Sequence, residues 1–103
     1  MDPVVVVTIP HRNGKAEALR RVKAGLEDAR KRYTAQLKVA EENWEGDRLR
    51  FRVAVLGQSL TGAIDIADES VRTEVTLTWL MGHQVKAAEA LIEKEGRAML
   101  DAP

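Results

Sequence analysis

The 103-residue chain predicts an α+β fold, with a five-stranded antiparallel sheet in βαββββα order and two helices on one face. Three observations lead there. A β-branched run opens the chain and stops at a proline, two long stretches repeat apolar residues at helical spacing, and the stretch between them alternates apolar with polar residues at period two. No internal repeat, low-complexity tract or linker-like segment breaks the chain, so residues 1–103 read as one domain.

The first strand is residues 4–9, VVVVTI, ended by Pro10. The turn that follows reads as a connection in which Asn13 or Gly14 begins a helix. From Ala16 to about Arg32, Leu19, Val22, Leu26, Ala29 and then Tyr33 recur on one helical face, with Glu27 and Lys31 as a favourable i,i+4 pair. Gly25 lies inside this helix at a cost of about 1 kcal/mol relative to alanine, which predicts another backbone close to it.

The middle of the chain reads as a meander. In RLRFRVAV, Leu49, Phe51, Val53 and Val55 alternate with Arg48, Arg50 and Arg52; in LTGAIDIA, Leu60, Gly62, Ile64 and Ile66 repeat the pattern. A turn at Gly57 and Gln58 would set Val55 opposite Leu60 and Phe51 opposite Ile64. A turn around Asp68 and Glu69 sets Ile66 beside Val71 and Gly62 beside Val75. A three-residue loop at Glu45, Gly46 and Asp47 aligns Leu37 with Val55 and Val39 with Val53. From about Gly82, Val85, Ala88, Leu91, Ile92, Glu95 and Met99 trace a second helix. One apolar sheet face needs covering, and the two amphipathic helices are the material for it. The first strand is expected beside the last, antiparallel to it.

Composition narrows the function. Sixteen basic and sixteen acidic residues cancel, which argues against nucleic acid and other polyanions as partners. The absence of cysteine removes disulfides and thiolate chemistry. The opening apolar run is too short for a signal core or a membrane span. The expectation is a cytoplasmic protein with no cofactor and no membrane span.

The three arginines of RLRFR suggest a basic stripe, but the register places Glu42 opposite Arg50, Arg50 opposite Asp65 and Asp65 opposite Arg72, a row of alternating sign on a solvated face. HRNGK lacks the multiple glycines of a phosphate or dinucleotide loop; a helix N-terminus beside His11, Arg12 and Lys15 leaves these three as anion-binding candidates. His11 and His83 are expected at opposite ends of the sheet, with no spacing that suits a metal. Ser59 and Ser70 fall in hairpin turns, without a nucleophile elbow. Glu41 and Asn43 share the inward parity of Leu37 and Val39, Thr73 is inward, and Gly62 leaves a gap. These four are the ligand-binding candidates for an apolar molecule. The alternative is that Glu41 and Asn43 sit at a wet rim and Gly62 admits a helix. Trp79 is expected to close the core and Trp44 to lie outside against Arg48, or instead to mark a contact surface.

Ile9-Pro10-His11-Arg12, then Gly14-Lys15 and Ala18, followed by a basic helix, a strand meander and a closing helix, resembles the polyhydroxyalkanoic acid system family of small bacterial proteins. The likeness in layout spans nearly the whole chain, while the specific signature is confined to residues 9–18. The resemblance implies association with polyhydroxyalkanoate storage granules and no known catalytic residues. The layout is also similar to a minimal helix-grip arrangement, an analogy of fold alone. The leading expectation is thus a non-enzymatic binding or accessory protein that engages an apolar partner: a small lipid-like molecule, a granule surface or another copy of itself. Two alternatives stay open: a small hydrolase or isomerase with Glu41 or His11 as general base, and a structural homodimer joined through the edge Leu37 to Asn43.

Overall fold

The computed structural model describes residues 2–55, 57–78 and 83–101. Its elements follow the order β1 (Val4–Pro10), α1 (Lys15–Arg32), β2 (Leu37–Glu45), β3 (Arg48–Val55), β4 (Gln58–Ile66), β5 (Ser70–Thr76) and α2 (Val85–Asp101). The five strands form one antiparallel sheet in the order β1-β5-β4-β3-β2, so β1 pairs with β5 as the sequence predicts, and β1 and β2 are the two edges.

Alternation decides which face is buried. Val5, Val7 and Ile9 of β1 are buried while their neighbours are exposed, and Leu49, Leu60, Ile64, Ile66, Val71 and Val75 continue the same face across the sheet. Ala18 and Val22 of α1 and Leu100 of α2 complete the core on that side. Two glycines set how close the helices come. A Cβ at Gly25 would lie 2.2 Å from Met99 Cγ, and one at Gly96 would lie 2.5 Å from Ile9 Cδ1. The close approach at Gly25 is therefore to a side chain of α2, not to a backbone. Leu91 is 49% exposed and does not share the buried face expected for it; α2 instead turns Val85, Ala88 and Ile92 onto the core.

Two registers differ from the sequence reading. Val55 pairs with Gln58, Val53 with Leu60, Phe51 with Gly62 and Leu49 with Ile64. The pairing is two residues from the expected one, because Gly57, at φ +81°, supplies the left-handed backbone at the last position before β4 rather than at the first of the turn. A shift of two preserves parity, so the apolar face stays intact. The β4–β5 register is as expected, with Gly62 opposite Val75 and Ile66 opposite Val71. Ser59 and Ser70 lie in strands, paired with Ala54 and Pro10, rather than in turns.

The β2–β3 hairpin holds the larger difference. Leu37 meets Val55 and Val39 meets Val53 as expected, but Glu45 pairs with Arg48, which leaves only Gly46 and Asp47 in the turn. The residue released from the loop reappears as a bulge between Val39 and Glu41. Beyond a bulge the alternation inverts. Glu41 and Asn43 consequently share the outer face with Arg52 and Arg50, while Glu42 and Trp44 turn inward with Phe51 and Leu49. Trp44 is half-buried under α1, with Lys23 Nζ 4.9 Å from its ring centre, and is not outside against Arg48. The expected core role of Trp79 falls outside the described residues.

Candidate functional site

The signature stretch from Ile9 to Lys15 lies where the β1–α1 connection, the β4–β5 turn and the end of α2 converge. His11 donates its backbone N–H to Glu69 O at 2.9 Å. Its ring is held at both nitrogens: Nδ1 accepts the Asn13 N–H at 3.1 Å, and Nε2 lies 3.0 Å from Ala67 O. A ring that accepts at Nδ1 and donates at Nε2 is the neutral Nε2–H tautomer. Asn13 Nδ2 donates to Leu100 O at 3.1 Å, and Arg21 Nη1 donates to the same oxygen at 2.6 Å.

Gly14 caps α1 at φ +78°, a conformation that favours glycine. The first amide of α1 is already taken: Lys15 N–H donates to Asp68 Oδ1 at 3.2 Å, and Lys15 Nζ lies 3.3 Å from Asp47. Asp68 thus stands where a bound carboxylate or phosphate would. Arg12 lines a shallow depression with Arg97 but also with Asp68, Glu69 and Asp101, so its acidic groups outnumber its basic ones. Of the anion candidates, His11 and Lys15 are engaged by the protein itself. His83 stands just before the start of α2 while Leu100 near its end reaches Asn13, which separates the two histidines by about 25 Å along the helix.

The ligand candidates divide between the two faces. Gly62 and Thr73 lie on the helix side, at positions opposite Phe51 and Val7. The gap expected at Gly62 is filled: a Cβ there would lie 2.4 Å from Phe51 Cζ, so the ring already covers the glycine. Glu41 and Asn43 are on the other face, where Glu41 pairs with Arg52. The outer rows keep their alternating sign, in shifted register. Arg48 contacts Asp65 at 2.6 Å, Asp65 stands opposite Arg72, and Arg72 contacts Glu74 at 2.7 Å.

One apolar surface is left half-covered. On the helix side of β2 and β3, Leu37, Val39, Val53 and Val55 are only half-buried, whereas the same face of β1, β4 and β5 is largely buried. α1 crosses this region with charged side chains: Arg30 pairs with Glu42, and Lys23 sits over Trp44. Leu37 and Val39 also line a shallow groove along the β2 edge with Arg30, Thr34 and Lys38. Sequence reasoning placed these four valine and leucine positions on the apolar face but had no signal for how far the helices would extend over them.

A family model described as "putative polyhydroxyalkanoic acid system protein" matches residues 5–100. The chain belongs to that family. The residues on which the resemblance rests, Ile9 to Ala18, are thus the family chain's junction between sheet and helices: His11, Asn13, Gly14 and Lys15 each hold a contact there. No curated protein and no solved structure matches the chain. Among the described residues of this polyhydroxyalkanoic acid system protein, no helix is long and apolar enough to cross a membrane.

Proposed function

We propose that this protein is a non-enzymatic accessory protein of polyhydroxyalkanoate granules, working inside the cell and engaging the polyester surface through the half-covered strip of Leu37, Val39, Val53 and Val55. The observation that carries the reading is that strip, four aliphatic side chains on adjacent strands at the least covered part of the sheet's helix-facing side. Full burial of such a side chain is worth about 1.5–3 kcal/mol, so four partly covered ones leave enough free energy for reversible adsorption to an apolar surface. Lys38, which lines the groove at the β2 edge with Leu37 and Val39, suits the carboxylate ends of the polymer there. The family description supports the choice of partner.

The placement of the general-base candidates favours this reading over a hydrolase or isomerase. Glu41 lies on the face away from the helices, in an ion pair with Arg52, and His11 spends both ring nitrogens on backbone groups. The test is co-sedimentation of the full chain with amorphous poly(3-hydroxybutyrate) particles. Retention on the particles that falls at least tenfold in Val39→Glu, with Arg50→Glu on the outer face unchanged, supports the reading. Equal retention of wild type and Val39→Glu, or no retention of either, overturns it.

A further inference from the structure

We propose that the protein forms a two-fold dimer in which β1 pairs antiparallel with β1 of a second copy, joining two five-stranded sheets into one. The inference starts from which backbone groups of β1 are in use. Pro3 O accepts the Leu77 N–H at 2.8 Å at one end of the strand, and His11 N–H donates to Glu69 O at the other, so the odd-numbered residues Val5, Val7 and Ile9 face β5. By the alternation of an antiparallel ladder, Val4, Val6 and Thr8 direct their N–H and C=O groups to the free edge. Pro10 follows on the same side, but it carries no N–H and its carbonyl accepts a hydrogen bond from Arg97 Nη1 at 3.1 Å. The open part of the edge is therefore Val4 to Thr8.

The two edges of the sheet are built differently. β2 carries a bulge after Val39 and the charged residues Lys38, Glu41, Glu42 and Glu45, the devices by which an edge strand avoids pairing. β1 has neither. It is regular along its whole pairing with β5, has no charged residue from Val4 to Pro10, and presents Val4 and Val6 at 51% and 45% exposure. An uncharged, regular and open edge is a template for another strand, and the strand of matching register and chemistry is β1 itself. With the two-fold axis at Val6, Val6 meets its own copy, Val4 meets Thr8, and Val5 meets Val7, so all three free-edge residues exchange their backbone bonds with apolar or neutral neighbours. The occupant is a second copy of this chain rather than a foreign strand because this centring satisfies every open group between Val4 and Thr8 without placing like charges together.

Sedimentation of the full chain at about 100 µM is expected to give twice the 11.4 kDa monomer mass. Val6→Pro removes an N–H that faces the free edge while leaving the β5 ladder, and Val6→Lys sets two charges against each other; each is expected to return the monomer with its thermal unfolding still cooperative. Should the proline variant fail to fold, Val6→Lys decides. The chain contains no cysteine, so Val6→Cys introduces a single thiol. Residues opposite each other in such a pair have Cα atoms about 5.5 Å apart, within disulfide reach. Val6→Cys is expected to cross-link on mild oxidation and Thr8→Cys alone is not, its two copies lying more than about 13 Å apart. A monomeric wild type, a dimer that survives both Val6 variants, or equal cross-linking at Thr8 overturns the proposal. None of these results bears on granule adsorption, which uses the opposite edge.

Discussion

The Phe51 ring lies over Gly62, its opposite number on β4, with Cζ 2.4 Å from where a Cβ would stand. Such a Cβ would also lie 2.7 Å from the Glu74 carbonyl oxygen, in the neighbouring strand. The glycine is therefore a packing requirement. Gly62→Ala is expected to destabilise the fold by about 1–3 kcal/mol, as overpacking of a tight site does. Phe51→Leu in the same chain should recover part of that loss, with a coupling of at least about 0.5 kcal/mol between the two sites in urea unfolding. Additive effects would show that ring and glycine do not share the space.

Gly25 and Met99 make the corresponding contact between the helices. Alanine at position 25 gains about 1 kcal/mol of helix propensity in isolation. Here its Cβ would meet Met99 Cγ at 2.2 Å and Sδ at 2.7 Å, so Gly25→Ala is expected to lower the thermal midpoint. In a Met99→Ala background the sign should reverse, and the midpoint should rise. A rise in the wild-type background would mean that α2 moves aside at no cost.

His11 holds the sheet's end through its neutral ring. His11→Ala loses both ring hydrogen bonds and is expected to cost about 1–2 kcal/mol, read as a lower urea midpoint at unchanged slope. Asn13→Ala, which frees one bond to Leu100 O, should cost less, because Arg21 still donates to that oxygen. A His11→Ala chain as stable as wild type would remove the ring from the structural role assigned to it.

Acid is expected to weaken the fold through two carboxylates. Hydrogen bonds from Arg20 and Arg21 hold Glu17 down at about 2, from an ordinary 4.5, and those from Arg32 and Tyr33 also lower Glu95. A carboxylate with a lowered folded pKa contributes stability above its unfolded value and loses it as pH falls. Stability should thus decline from about pH 4.5 toward pH 2, and less steeply in Glu17→Gln. Both groups are screened by solvent, so the decline is gentle. At the alkaline end, Tyr33 donates its hydroxyl to Glu95 at 2.8 Å and its pKa is raised above 10.0 by that bond. Its contribution is present below pH 10 and is lost as the hydroxyl ionises. A melting temperature flat from pH 5 to pH 3 would contradict this assignment.

Parity carried most of the fold. Arg48, Arg50 and Arg52 against Leu49, Phe51 and Val53 fixed the two faces of β3, and a register error of two at Gly57 did not disturb them. The bulge after Val39 was illegible for a physical reason: a bulge and a shortened loop cancel in length, so residues 37–39 and 53–55 align the same way with or without it. That cancellation sent Glu41 and Asn43 to the wrong face in the sequence reading and hid Trp44's place under α1. The filling of the Gly62 gap was likewise invisible, since it depends on which residue stands opposite. Asp68 as the partner of the α1 N-terminus had no sequence signal beyond its place in a turn, because the contact spans 53 positions.

Asn13 and Arg21 both donate to the carbonyl of Leu100, across separations of 87 and 79 residues. β1, though synthesised before β5, pairs with it among the described residues. The order of synthesis and the order of assembly therefore run against each other. The apolar face of the β1–α1 unit gains its cover only once β5 and α2 have both been made, so the domain can close only after α2 has been translated.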